Sequence, residues 1–224
     1  MKKVISYSLW GSNPKYTVGA IKNASLAKEI YPNWISRFYC ANDVPNPIIF
    51  QLEEMSGVEV ISVDVSGSWK FTTERFLAID DSEIEIVIFR DTDSRINNRE
   101  KQAVGEWLKS SKSLHIMKDH PFHGGFPILA GMWGLKTKNH KIEIRKLLNC
   151  YVNIEQYHYD QIFLKEFVWS KFKEDYIAHD EFFLKQPFPS KREGLDYVGK
   201  PFNADDSICL PGADIAIARA GKNI

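Results

Sequence analysis

Asp91 and Asp93 are the two residues whose type and spacing most directly indicate chemistry in this sequence. They flank Thr92 directly after the apolar run at 84–89, so the pattern predicts two carboxylates on a turn at the end of a buried strand. Carboxylates so placed can converge on one Mg²⁺ or Mn²⁺ ion, with phosphate oxygens completing the coordination shell. An ion held in this way would stabilise a leaving diphosphate as a Lewis acid. The alternative interpretation is that both side chains cap the turn and the following helix.

The elements that must position this pair alternate between strands and helices. Strands are predicted at 4–9, 34–40, 58–65, 84–89 and 114–117, with a further strand at 128–130 and a loop-rich segment after 178. Helices are predicted at 16–31, 48–55, 99–110, 142–151 and 156–172, with a helical turn at 72–79. This alternation predicts an α/β fold in which helices flank a mostly parallel central sheet. Ligands of such sheets bind beyond the carboxyl ends of the strands, so the segments that follow the first four strands should meet at the site.

The composition restricts the class of protein. The chain has 224 residues, 44% of them hydrophobic, which is enough for one sizeable domain with a real core. Basic and acidic residues both number 29, and this zero net charge argues against a protein that holds nucleic acid by bulk charge. Three scattered cysteines indicate reduced thiols and a cytoplasmic setting. The sequence contains no apolar run long enough for a signal peptide or a transmembrane segment, so neither is expected.

The segment Asp91-Thr92-Asp93 at a strand end resembles the acidic D-x-D signature of the type A fold glycosyltransferases, and the chain looks like their bacterial surface-polysaccharide branch. The segments 4–11, 120–123, 131–134 and 159–164 also fit this family, so the resemblance extends from residue 4 to about residue 184. It implies the architecture of nucleotide-diphospho-sugar transferases, with a single domain over 1–224. The nucleotide-binding part would lie at about 1–97 and the acceptor and sugar part at about 98–224.

The resemblance also implies a set of donor-binding residues. They are Ser8, Leu9, Trp10, Arg75, Asp91, Gly131 and Trp133. Arg90 and Arg192 are further candidates for phosphate contact, and for Arg192 the alternative is a solvated charge pair with Lys191. Arg75 offers a rigid guanidinium fork for phosphate or base oxygens, although an ion pair on a helix surface is the structural alternative. Gly131 would let a sugar approach the backbone, and Trp133 would offer its C–H groups an apolar face. The alternative for Trp133 is an ordinary position in the core.

The catalytic residues implied by the resemblance are Asp160, Gln161 and Asp180. The Asp160-Gln161 pair is similar to the Asp-Gln pair that lines the reaction centre of glycogenin-like retaining transferases, and it favours retention of the anomeric configuration. An inverting enzyme would instead need a base such as Asp160, Asp180 or Glu181. His179 is implied as a third metal ligand beside Asp91 and Asp93. The chain departs from those relatives because it lacks their late His-x-x-Gly-x-x-Lys-Pro-Trp segment.

The sequence therefore predicts a glycosyltransferase that depends on Mn²⁺ or Mg²⁺. The donor would be a nucleotide sugar, with UDP-sugars favoured over GDP-sugars, and the acceptor a carbohydrate or glycolipid in surface-polysaccharide or glycolipid synthesis. The expected location is the cytoplasm or the inner face of the membrane. A nucleotidyltransferase that makes nucleotide sugars is one alternative, although the segment 9–15 has a single glycine where that class needs a glycine-rich phosphate loop. A non-catalytic nucleotide- or carbohydrate-binding protein is the other.

Overall fold

A computed structural model describes residues 1–138, 142–151 and 155–220. Its strands are β1 (Lys2–Leu9), β2 (Ile35–Ala41), β3 (Val58–Val63), β4 (Ile84–Phe89), β5 (Leu114–Lys118), β6 (Trp133–Lys136) and β7 (Tyr176–Asp180). They form a sheet in the order β3-β2-β1-β4-β6-β5-β7. Neighbouring strands are parallel except at β6, which runs antiparallel to both β4 and β5. The predicted α/β fold with a mostly parallel central sheet is confirmed.

The helices are α1 (Pro14–Ile30), α2 (Asn46–Glu53), α3 (Asn98–Lys109), α4 (Ile144–Cys150), α5 (Tyr159–Phe163), α6 (Ser170–Phe172) and α7 (Pro211–Ala220). A 3₁₀ segment covers Trp69–Asp80, and one π-helical stretch, Leu164–Trp169, joins α5 to α6. The start of α1 matters for the site. Asn13 caps it by accepting the backbone N–H of Lys15 at 3.0 Å, and Pro14 suits the first turn because its missing N–H would have no partner there. Among the described residues, no helix is both long and apolar enough to cross a membrane.

The two faces of the sheet carry separate cores because side chains alternate along each strand. On one face, Val87 and Phe89 of β4 pack with the 3₁₀ segment and with the helices that follow α4. On the other face, Ile88 packs against residues of α1 and α3, including Trp107. Full burial of such a side chain contributes about 1.5–3 kcal/mol. The two cores hold β1 and β4 rigidly side by side, which fixes the positions of their carboxyl ends.

Three predicted elements differ from the structure, one in its place and two at their ends or in helix type. The strand expected at 128–130 lies instead at Trp133–Lys136, because residues 129–132 turn back on themselves with the N–H of Met132 bonded to the carbonyl of Leu129 at 3.0 Å. The segment expected to be loop-rich after Ala178 has no named helix or strand over 181–210, as predicted, but it begins with the end of β7 and finishes with α7. The helix expected over 156–172 is present as one helical run that starts at Tyr159, and its middle is the π-helical stretch between α5 and α6. Pairing with distant strands decides β6 and β7, and local sequence carries no sign of that pairing.

Candidate active site

A cleft opens at the carboxyl ends of β1 and β4, beside the 3₁₀ segment and the start of α5. Its lining residues are Ser8, Leu9, Trp10, Tyr16, Trp69, Thr72, Arg75, Asp91, Thr92, Asp93, His123, Leu129, Ala130, Gly131, Met132, Tyr157, His158, Asp160, Gln161 and Gly199. Nine of the residues that the sequence singled out lie here, namely Ser8, Leu9, Trp10, Arg75, Asp91, Asp93, Gly131, Asp160 and Gln161. The cleft lies at the carboxyl ends of β1 and β4, as the strand-end rule predicts, but its described lining residues include none from 42–45 or 64–68, the segments directly after β2 and β3.

The turn after β4 presents its two carboxylates differently. The side chain of Asp91 is 50% exposed, whereas that of Asp93 is 16% exposed and lies 2.7 Å from the ammonium group of Lys15. Asn23 of α1 fixes the turn from behind by donating to the carbonyl of Thr92 at 3.1 Å. Burial raises the pKa of Asp93, and the negative charge of Asp91 raises it further. Two close carboxylates that repel each other in this way are stabilised by any cation placed between them.

Arg75 connects the two acidic parts of the cleft. Its buried guanidinium bonds the carboxylate of Asp91 through Nη1 and that of Asp160 through Nη2, the latter at 2.8 Å. Ser8 accepts the backbone N–H of Arg75 at 3.0 Å, and Ser6 donates to its carbonyl at 2.7 Å. The 3₁₀ segment is thereby clamped to β1. Arg75 consequently holds Asp160 in a fixed position relative to the turn after β4.

Asp160 and Gln161 enter the cleft at the start of α5. Asp160 Oδ1 accepts the backbone N–H of Gln161 at 2.9 Å, and burial raises the pKa of the Asp160 carboxyl although Arg75 opposes the rise. The side-chain amide of Gln161 bonds the ring of His158 through its nitrogen. Its buried Oε1 has no hydrogen-bond partner among the described residues. A lining carbonyl oxygen in that state can accept a hydrogen bond from a ligand hydroxyl.

Gly131 lies directly against Asp91. A Cβ atom at this position would stand 2.0 Å from Asp91 Oδ2, so only glycine leaves room for the carboxylate in its present orientation. Trp133, two residues later, does not reach the cleft. It is fully buried in β6 and stacks on Phe89 with ring centroids 4.2 Å apart. The predicted sugar-facing role of Trp133 is therefore corrected to a role in the core.

Two predicted arginines also lie outside the cleft. Arg90 points into the core, where its Nε donates to Glu100 at 3.0 Å behind the sheet. Arg192 binds Asp119 at 2.7 Å and Glu181 at 3.0 Å, and so fastens a late loop to the end of β5. Both guanidinium groups are engaged by carboxylates, and neither is directed at a donor in this arrangement.

His179 and Asp180 are on β7, which is separated from β4 by two strands. His179 is buried, with Nδ1 2.8 Å from Nε2 of His115, and burial lowers its pKa. Asp180 is fully buried and accepts the backbone N–H groups of Phe182 and Phe183, the latter at 2.8 Å. Neither residue lines the cleft, so the structure does not bring the predicted third metal ligand or the predicted late base to the site.

The cleft also contains residues that the sequence did not single out. Tyr16, Trp69, Tyr157 and His158 line its mouth together with Trp10. Their aromatic type was the available signal, but most aromatic residues fill cores, so type alone could not select them. Lys15 was also missed, because its position at the start of α1 acquires meaning only through its contact with Asp93.

The donor set of the cleft suits a hard divalent cation that is shared with a ligand. The described lining residues include three carboxylates (Asp91, Asp93 and Asp160) and one guanidinium, that of Arg75, which bonds Asp91 and Asp160. Within the described part of the chain, however, no group of three or more His, Cys, Asp or Glu side chains is arranged to hold a metal by itself. Asp91 and Asp93 thus fit Mg²⁺ or Mn²⁺ only if ligand oxygens supply the remaining coordination, as a diphosphate would.

Solved structures with the same architecture include two glycosyltransferases and a synthase. A glycosyltransferase involved in the glycosylation of the major capsid of PBCV-1 matches with a TM-score of 0.55 and 15% identity, over 82% of this chain and 84% of that one. The galactosyltransferase LgtC, in complex with donor and acceptor sugar analogs, matches with a TM-score of 0.53 and 13% identity, over 81% and 74%. The 4-diphosphocytidyl-2C-methyl-D-erythritol synthase from Anaerococcus prevotii DSM 20548 matches with a TM-score of 0.52 and 11% identity, over 85% of this chain and 93% of that one.

At these sequence identities the likeness establishes the fold, which is that of the nucleotide-diphospho-sugar transferases of the type A class. Neither a protein-family model nor a curated protein sequence matches the chain.

Proposed function

We propose that this chain is a glycosyltransferase that moves a sugar from a nucleotide-diphosphate donor to a hydroxyl group of a carbohydrate. The observation that carries the proposal is the pair of bonds from Arg75 to Asp91 and Asp160, made inside the cleft at the strand ends of this fold. One guanidinium there links a position suited to a metal and diphosphate with a second carboxylate suited to the transferred sugar. The similarity to solved sugar transferases supports the same conclusion.

The donor would lie across the carboxyl ends of β1 and β4. Trp10 and Tyr16, which stack with ring centroids 6.4 Å apart, offer apolar faces for the base. Asp91 and Asp93 would hold Mn²⁺ or Mg²⁺, which supplies Lewis-acid stabilisation to the leaving diphosphate. Lys15, at the start of the 17-residue helix α1, adds positive charge beside the same position, and the helix N-terminus favours an anion there.

Asp160 would face the anomeric carbon as a fixed carboxylate. Its oxygens accept from Arg75 and from the N–H of Gln161, so its orientation is set before any substrate arrives. In that place it stabilises positive charge that develops on the sugar ring. The acceptor oxygen forms a bond to the anomeric carbon, the bond from that carbon to the phosphate oxygen breaks, and the acceptor proton passes to the leaving phosphate. This proposal of retention needs no separate protein base, and His179 and Asp180 have no part in it.

The experiment that tests the function is a thermal-shift screen with UDP, GDP, CMP and their common sugars, each with Mn²⁺ or with EDTA. Ligand at a hundred times its Kd should raise the midpoint by about 5–10 °C for a chain of this size. We expect one nucleotide to give a shift that EDTA abolishes and that Asp93→Asn removes. The matched control is Asp205→Asn, because Asp205 is exposed and caps a surface turn at Ser207. A folded sample that responds to no nucleotide contradicts the proposal.

The similar fold of the 4-diphosphocytidyl-2C-methyl-D-erythritol synthase makes nucleotidyl transfer the second candidate. The two activities give different products from different substrates. Incubation with a nucleoside triphosphate and a sugar 1-phosphate should release no pyrophosphate, whereas a nucleotide sugar with a carbohydrate acceptor should release a nucleoside diphosphate. The opposite pattern supports nucleotidyl transfer. Surface-polysaccharide or glycolipid synthesis, and the preference for UDP over GDP, remain predictions from the sequence.

A further inference from the structure

The mouth of the cleft carries a continuous row of aromatic rings. Trp10 contacts Trp69 edge-on at 6.4 Å between centroids, Trp69 contacts Tyr157 at 5.3 Å, and Tyr157 contacts His158 at 3.9 Å. The outer members are open to solvent, with Trp69 44% and Tyr157 65% exposed. Single exposed aromatics are common on proteins, but two adjoining rings at the mouth of a polar cleft form an apolar patch that a ligand can cover.

Trp69 and Tyr157 form a corner, because their ring planes meet at 78°. One ring can stack on the C–H face of a pyranose while the other covers its edge. The corner is also close to neutral, since Lys70 and Glu155 lie beside it with opposite charges. The Glu155 carboxylate bonds Ser68 and the backbone at Trp69. These bonds tie the chain before Tyr157 to the start of the 3₁₀ segment, so both walls of the corner are held together.

The corner is connected to the proposed reaction centre through His158. This residue has φ of 70°, a left-handed conformation that costs a non-glycine residue about 1–3 kcal/mol and persists only where its surroundings impose it. Its ring packs on Tyr157 on one side and bonds the amide of Gln161 on the other. A ligand seated in the corner would therefore have its next unit at Gln161 and at Asp160, the carboxylate that Arg75 holds.

We propose that Trp69 and Tyr157 are the acceptor subsite, and that the acceptor is a neutral carbohydrate of at least two sugar units. One unit stacks in the corner, and the reacting unit lies at Gln161, whose Oε1 is free to accept from a sugar hydroxyl. The inference rests on the proposed sugar transfer and adds the class of acceptor to it. The rings nearer to α1, Trp10 and Tyr16, are left for the base of the donor.

The test separates donor binding from acceptor binding in Trp69→Ala and Tyr157→Ala, with Phe50→Ala as the matched control. Phe50 is 60% exposed on α2 and does not line the cleft. Calorimetry measures UDP with Mn²⁺, and saturation-transfer NMR then measures a panel of neutral probes with and without UDP. The panel contains glucose, lactose, maltotetraose, cellotetraose and chitotetraose. Thermal midpoints confirm that each variant is folded.

We expect at least one oligosaccharide of the panel to bind about tenfold more weakly to both alanine variants, while UDP affinity stays within about twofold of the wild type. Trp69→Phe should recover part of the loss, since it restores a ring. UDP affinity that falls in the alanine variants assigns the corner to the donor base and overturns the inference. The inference is also overturned if the protein binds no carbohydrate of the panel, or if binding is unchanged in both alanine variants. Wild-type protein that binds no nucleotide contradicts the proposed function instead, so the two failures are distinct.

Discussion

Replacing Arg75 with methionine is the most informative single change, because this guanidinium binds the carboxylates on both sides of the cleft. Methionine keeps much of the apolar stem but removes the positive charge. Asp160, whose side chain is 11% exposed, then becomes a buried carboxylate without its ionic partner. Asp91 is half exposed, so water takes over most of what it loses.

The expected cost is dominated by Asp160. Removing one partner of a buried ion pair costs about 3–5 kcal/mol, whereas an exposed pair such as that with Asp91 contributes about 0–1 kcal/mol. We therefore expect Arg75→Met to lower the free energy of unfolding by about 3–5 kcal/mol at neutral pH. The control is Arg145→Met. Arg145 is 59% exposed and 3.6 Å from Glu74, so its loss should cost less than about 1 kcal/mol.

The loss of stability in Arg75→Met should depend on pH in a definite direction. Burial already raises the pKa of Asp160, and loss of Arg75 raises it further, so the folded variant binds a proton more tightly than the unfolded chain does. Stability then falls as the pH rises through the folded pKa, and the deficit is largest at neutral pH and smaller in acid. Urea titrations at about pH 7 and pH 5 measure this, and adding Asp160→Asn should restore part of the loss at pH 7. A deficit below about 1 kcal/mol, or one equal at both pH values, would refute the reasoning.

Two further predictions concern glycine and histidine. In Gly131→Ala the new Cβ displaces the Asp91 carboxylate, so calorimetry should show about a tenfold or greater loss of affinity for nucleotide with Mn²⁺. The control is Gly105→Ala, whose Cβ meets nothing within 4 Å. This variant should bind nucleotide normally and gain about 0.5–1 kcal/mol in stability. Equal affinities in both variants would count against a role for Asp91. Burial lowers the pKa of His115 and of His179, so the unfolded chain binds protons that the folded chain excludes, and stability should fall between about pH 7 and pH 5. Urea titrations of His115→Leu should show a flatter decline, and an unchanged slope would contradict this account.

Local sequence determined the fold class and the centre of the cleft. The apolar run at 84–89 is β4 to the residue, and a strand of that kind ends where the sheet presents its carboxyl edge. Asp91 and Asp93 follow it after a single residue, Arg90, so their place in the cleft is a consequence of chain order. Arg75, Asp160 and Gln161 were suggested by resemblance, and their placement beside that turn agrees with it. Their chemical roles remain predictions until binding is measured.

Only the tertiary structure decided which of the other polar residues face the cleft. Arg192 and His179 have the residue types of a donor or metal site. However, Arg192 binds Asp119 and His179 contacts His115, and each partner is more than 60 residues away in sequence. The corner of Trp69 and Tyr157 is likewise made by segments far apart in the chain. Hydrophobic periodicity predicts which face of a helix or strand is buried, but it does not predict which distant element packs there. The partner of a charged or aromatic side chain is fixed by that packing, so the mouth of the cleft and the corner of Trp69 and Tyr157 could not be foreseen from the sequence.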